Sequence, residues 1–202
     1  MDNQKILAVN LSKGRIGDLN ANLLGMIIVG KLLMAALSRA DVEESSRKDL
    51  YLYVDEFQNF TTDSISTILS EARKYHLDLI VAHQFIKQLK EGIRDAVFGN
   101  VGSIVSFRIG PDDAEFMKNK FEPVFSPQDL MNIDNLNAYV NLLINGQTER
   151  PFNIKIETER VFGAGNPEMA EHLKQLSRTK YARPRQEVED EIKAKFATNT
   201  KK

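Results

Sequence analysis

The residues best suited to chemistry are Asp55 and Glu56, which directly follow the apolar run Leu50-Tyr51-Leu52-Tyr53-Val54. A continuous apolar run of this kind reads as a strand buried on both faces of a parallel sheet. Side chains just past the carboxyl end of such a strand face the crevice where open α/β sheets bind ligands. Two adjacent carboxylates there can divide the work: the Asp holds Mg²⁺ through water and the Glu polarises an attacking water. The next apolar run, Leu79-Ile80-Val81-Ala82, ends in His83-Gln84, which places an uncharged amide at the equivalent edge of a neighbouring strand. Gln84 there can contact a phosphate or the water and register its loss, while His83 packs or faces solvent. The competing readings are a solvated acidic strand end for Asp55-Glu56 and a surface turn for Gln84. The chain has no Cys, and His76, His83 and His172 lack ligand spacing, which excludes a disulfide framework, a thiolate zinc site and a Cys nucleophile.

Apolar run followed by Asp-Glu is also the second nucleotide motif of P-loop NTPases, and that chemistry requires a phosphate cradle. Gly25-Met26-Ile27-Ile28-Val29-Gly30-Lys31-Leu32 has the Gly-x4-Gly-Lys spacing. A cradle must be a loop after a strand, with backbone N–H groups turned to phosphate and Ser or Thr after the Lys. Four bulky apolar residues and Leu32 in place of the hydroxyl make this a helix and the spacing a coincidence.

The elements that must hold these residues follow from pattern. Ile6 to Leu11 reads as a buried strand closed by Ser12-Lys13-Gly14. Asp18 or Asn20 caps a helix that is apolar on nearly all sides to Leu37 and is therefore expected to be covered on most of them. Its apolar stretch from Leu23 to Leu37, interrupted by Lys31, falls short of the roughly 20 residues of a bilayer span and reads as a buried helix. Thr62 to Tyr75 has helical spacing, with Thr62 or Asp63 as its cap. Phe85 to Phe98 reads as one or two helices broken near Gly92, Ser103 to Ile109 as a strand, and Pro111 as the start of a short helix. Strand and helix alternate three times, which implies right-handed crossovers and a parallel sheet with helices on both faces. Ala138 to Ile144 and Phe152 to Ile156, joined through Asn145-Gly146-Gln147, read as a hairpin of antiparallel edge strands. Pro167 to Ser177 and Arg185 to Phe196 read as polar helices.

With 202 residues, 42% hydrophobic and 27% charged, the chain is an ordinary globular one, and 27 basic against 28 acidic residues leave no global field for nucleic acid or anionic lipid. MDNQKILAVN lacks the basic and apolar regions of a signal peptide, so export by that route is not expected.

Together, the stretches from Leu50 to Phe60 and from Leu69 to Tyr75, Ala82-His83-Gln84, and Gly99-Asn100-Val101-Gly102 resemble the conjugative coupling ATPases of type IV secretion. The likeness is to the C-terminal half of the motor domain of the TraG/TraD group, the TraM recognition domain. It implies an α/β fold: a partial RecA-like P-loop NTPase sheet, mostly parallel with antiparallel edge strands, followed by C-terminal helices. Residues 1–160 would form the motor half and 161–202 a helical extension. In that family a hexameric motor at the cytoplasmic face of the inner membrane uses ATP and Mg²⁺ to feed single-stranded DNA and protein into the secretion channel. The resemblance implies Asp55 as the Mg²⁺ aspartate, Glu56 as the catalytic glutamate, Gln84 as the sensor, and Arg73 as an arginine finger acting on a neighbouring subunit. Relative to the family, the chain lacks the transmembrane part and the first motor strand with its phosphate loop. The expectation is therefore a catalytic half that is inactive alone and binds ATP·Mg²⁺ weakly. The alternative is a non-catalytic module that docks relaxosome or secretion-channel proteins through its C-terminal helices and Lys174, Arg178, Lys180, Arg183 and Arg185. A related DNA-pumping motor outside secretion is the third reading.

Overall fold

The structure is a computed structural model and describes residues 5–61, 69–163 and 165–199. The chain divides into two compact units, 1–155 and 156–202.

The first unit is α/β. Strands β1 (Leu50–Val54) and β2 (Leu77–Val81) pair in parallel, with Leu50 opposite Leu77 and Val54 opposite Val81. One face of this pair carries Leu50, Leu52, Val54, Leu77, Leu79 and Val81, packed with Leu33, Ala36, Phe57, Leu89, Ile93 and Val97. Helices Asp18–Leu37 and Glu91–Asn100 supply most of that cover. The opposite face is bare: Tyr51 is 60%, Tyr53 72% and Ile80 39% exposed. The expectation of a strand buried on both faces is thus corrected, because among the described residues helices pack against one face of the pair.

A second sheet follows, in which β3 (Ile104–Ser106), β4 (Asn137–Asn141) and β7 (Phe152–Lys155) lie in the order β3-β4-β7, all antiparallel. Between β4 and β7 the chain makes the small hairpin of β5 (Leu143–Ile144) and β6 (Gln147–Thr148), turned by Asn145 and Gly146 at φ 51° and 80°, the signs a two-residue hairpin turn requires. The predicted hairpin therefore forms, but as part of a separate sheet. Among the described residues parallel pairing is confined to β1 and β2, so the mostly parallel sheet is not found. Ile86, Ala114, Met117, Phe121 and Leu130 form the core beneath β3 and β4, and Phe98 packs against both cores.

Several expectations change at the N-terminal side. Ile6 to Leu11 forms no strand; it pairs with nothing among the described residues and leaves Ile6 98% exposed. The long helix does run to Leu37, but Gly17 at φ 80° stands at its cap position, and Asn20 donates back to the Ile16 carbonyl instead of capping. Its cover is one-sided. Ala21, Gly25, Leu33 and Ala36 are buried, whereas Leu19, Leu23, Leu24, Ile27 and Met34 are exposed. With the turn that follows, it is long and apolar enough to cross a membrane by length and composition, a test that core helices pass as well. Residues 62–68 of the helix expected over Thr62 to Tyr75, including both candidate caps, lie outside the described residues. Residues 69–71 are helical and Ala72–Tyr75 tightens to a 3-10 turn.

The second unit holds helices Thr158–Phe162, Pro167–Tyr181 and Arg185–Asn199. Asn166 caps the second of these, its side-chain oxygen accepting from the Met169 N–H at 2.9 Å.

Candidate active site

Because β1 and β2 are parallel and in register, their carboxyl ends lie side by side, and the chain closes them together by two backbone bonds. Ala82 N–H donates to the Val54 carbonyl and Phe57 N–H to the Ala82 carbonyl, each at 2.9 Å. The residue between Asp55 and Phe57 must then reverse direction tightly, and Glu56 does so in the left-handed region at φ 52°, ψ 43°. For a residue with a Cβ that conformation costs about 1–2 kcal/mol. The turn is held against this cost by its surroundings. Phe57 is 2% exposed, Asp55 Oδ1 accepts from the Glu56 N–H at 2.9 Å, and Asn59 N–H donates to the Glu56 carbonyl.

Within this turn the Glu56 carboxylate is gripped at both oxygens. Gln84 Nε2 donates to Oε1 at 2.6 Å, and Gln58 Nε2 donates to Oε2 at 2.7 Å. Asp55, Glu56 and Gln84 are thus brought together as their spacing suggested. Gln58 escaped the sequence reading. Its reach back to that carboxylate depends on the left-handed backbone of Glu56. Gln58 Oε1 is buried and has no hydrogen-bond partner among the described residues, a cost of about 1–3 kcal/mol for a desolvated carbonyl.

His83, between Ala82 and Gln84, turns inward and meets Phe98 edge-to-face at 6.2 Å. Burial pushes its imidazole below the usual histidine range, opposed by the Asp113 carboxylate. Arg73 lies elsewhere, in the 3-10 turn that leads into β2. It is exposed and stands at the amino end of the strands, about 16 Å along them from Glu56 at 3.3 Å per residue. Its turn is anchored by two arginines. Buried Arg39 donates from Nη1 to the Lys48 and Tyr75 carbonyls at 2.8 and 3.1 Å, and Arg47 donates to the Lys74 carbonyl.

Asp55 has the chemistry of a Mg²⁺ ligand, and the Glu56–Gln84 pair that of a water-orienting group, but a nucleotide also needs a cradle. Gly25 to Leu32 lies within the long helix, its N–H groups spent on the helix ladder. Gly25 serves packing: a Cβ there would meet the Phe60 ring at 2.2 Å. The residues present therefore fit part of an ATP·Mg²⁺ site. In the second unit, the basic candidates are locally neutralised, Lys174 and Arg178 by Glu171, Arg183 by Glu191 and Arg185 by Glu189. Lys180 lies 5.5 Å from the Tyr181 ring centroid. Arg108 donates to Asn135 Oδ1 at 3.0 Å.

Residues 49–120 match the family of the TraM recognition site of TraD and TraG. No curated protein matches the chain. The TraD/TraG match begins one residue before β1 and ends within the Pro111–Phe121 helix, so it encloses Asp55, Glu56, Gln58, Arg73 and Gln84 together with helix Glu91–Asn100, which packs on the apolar face of β1 and β2. The C-terminal helices lie outside it.

Proposed function

We propose that the chain is the catalytic half of a conjugative, type IV secretion coupling ATPase of the TraD/TraG kind, working in a RecA-like hexamer that moves single-stranded DNA and protein. The observation that carries this is the Glu56 carboxylate hydrogen-bonded to Gln84 across the ends of two parallel strands, beside Asp55, inside the family match. Mg²⁺·ATP bound at a completed site would supply the transferable phosphoryl group. Asp55 would hold the metal through water, leaving Oδ2 outward because Oδ1 is engaged by the Glu56 N–H. Glu56 would accept the proton of the attacking water, and Gln84 would reorient between Glu56 and the terminal phosphate. The bare face of β1 and β2 supports a half-domain, since parallel sheets are covered on both sides. The missing cover would come with the strand and phosphate loop, and with the part that holds the motor at the inner face of the membrane.

The test is to supply that part, on the same chain or as a separate polypeptide. Mg²⁺-dependent hydrolysis is expected to appear, and Glu56→Gln to abolish it while nucleotide still binds. Asp55→Asn should instead weaken Mg²⁺-dependent binding. Losses below about threefold in both variants would reduce the acidic pair to a strand end.

A second reading, a recognition module for a relaxosome protein such as TraM, is favoured by the description of the matched family itself. It predicts that the chain alone captures a TraM-type protein and that Glu56→Gln leaves the capture unchanged.

A further inference from the structure

The turn from Asp55 to Gln58 concentrates two unfavourable features, the left-handed backbone of Glu56 and the buried Oε1 of Gln58, which has no partner among the described residues. Outliers that the surrounding structure holds in place point toward function more often than away from it. Gln58 would satisfy its carbonyl more easily by turning to solvent. What it gains where it stands is the 2.7 Å bond from Nε2 to Glu56 Oε2, and its backbone is fixed there by Thr61, whose hydroxyl donates to the Gln58 carbonyl at 3.2 Å.

We propose that Gln58 is a positioning residue for Glu56, resting on the reading of Glu56 as the water-activating carboxylate. The two amides have different tasks. Gln84 lies exposed at the crevice and is able to leave Oε1 for a phosphate oxygen, whereas Gln58 is half-buried and stays. With Oε2 held, the release of Oε1 presents one lone pair in a fixed direction instead of freeing the whole carboxylate to rotate. The three side chains act as a relay in which Gln58 is the anchor, Glu56 the reacting group and Gln84 the mobile member.

The anchor can be tested in the 202-residue chain without nucleotide, by the side-chain amide resonances of ¹⁵N-labelled protein. Gln58→Met keeps the volume of the side chain and removes both the donor and the stranded carbonyl. The Gln84 amide signals are expected to move in Gln58→Met and to move in Glu56→Ala, and Gln58→Met should add nothing in the Glu56→Ala background, since the coupling runs through that carboxylate. Thermal stability of Gln58→Met should change little, because removal of the stranded carbonyl offsets loss of the bond to Glu56. Gln84 signals that ignore Gln58→Met would assign Gln58 to packing and overturn the proposal. When hydrolysis is measured with the phosphate loop supplied, Gln58→Met should lower kcat at least tenfold with KM for ATP within twofold; an unchanged kcat overturns the role in positioning. A fully active Glu56→Gln would instead sink the reading of Glu56, whatever the resonances of Gln58 and Gln84 report.

Discussion

His83 stands between the strand end and Gln84, so its protonation bears on both. Its half-buried ring rests on Phe98, and burial outweighs the Asp113 carboxylate in setting its pKa below the ordinary value near 6.5. The sign of the consequence follows from proton counting. Below about pH 6.5 the unfolded chain binds a proton that the folded chain still refuses, so stability is full above that pH and declines as pH falls toward the lowered folded value. Urea midpoints between pH 8 and pH 5 should therefore fall more for the native chain than for His83→Phe, which keeps the edge contact and cannot titrate. Parallel curves for the two proteins would show that His83 contributes nothing to acid sensitivity. The same inward turn of His83 leaves its neighbour Gln84 facing out, which is how one strand end provides both a core contact and a hydrogen bond to Glu56.

At the scale of elements, the long helix packs on the turn that follows the acids partly through the close approach of Gly25 to the Phe60 ring. Two glycines five residues apart by spacing alone suggested a phosphate loop, yet they do different things. A Cβ at Gly25 would collide with Phe60, whereas one at Gly30 meets nothing within 4 Å. Gly25→Ala is expected to cost about 1–3 kcal/mol by overpacking, and Gly30→Ala to stabilise by up to about 1 kcal/mol through helix propensity. Calorimetric melting should show opposite signs, at about 2–4 °C per kcal/mol for a chain of this size; equal shifts would mean that the helix does not rest on Phe60. This contact also marks where the sequence was legible. Elements whose pattern is local came through: β1 residue for residue, the Pro111 helix start, and the Asn145-Gly146 turn. The Pro127–Asn132 helix was missed although Ser126 and Asp129 form a capping box around a Pro at the first turn, a signal the short apolar content concealed. Ile6 to Leu11 failed for another reason, because a strand is defined by a neighbour, and apolar content in six residues cannot say whether one is present. At the site, Asp55, Glu56 and Gln84 were readable because each ends an apolar run, whereas Gln58 depends on the left-handed turn at Glu56, which no residue type there announces.

On the scale of the whole molecule, the placement of Arg73 bears on the proposed ring. Arg73 and Glu56 lie at opposite ends of the same two strands, so a guanidinium at Arg73 has no route to a phosphate held at its own strand ends. Arg39 and Arg47 bind the carbonyls of Tyr75 and Lys74, which ties the exposed Arg73 to a rigid base, and Arg73 makes no ion pair among the described residues. An exposed arginine at the far end of the strands from Glu56 suits the proposed ring, in which it would reach the phosphate of the next subunit and neutralise charge developing in the transition state. In rings assembled with the phosphate loop supplied, Arg73→Ala should lower hydrolysis at least a hundredfold with little change in ATP affinity, because the group acts on the transition state. Mixing gives the sharper reading. Subunits carrying Arg73→Ala and subunits carrying Glu56→Gln are each expected to be inactive alone. Mixed rings contain interfaces where an intact Glu56 meets an intact Arg73 from the neighbour, and these should restore part of the activity in proportion to their frequency. If subunits demonstrably exchange and the mixture hydrolyses no faster than its two parents, Arg73 does not act across the interface, and its exposure on that anchored turn has another cause.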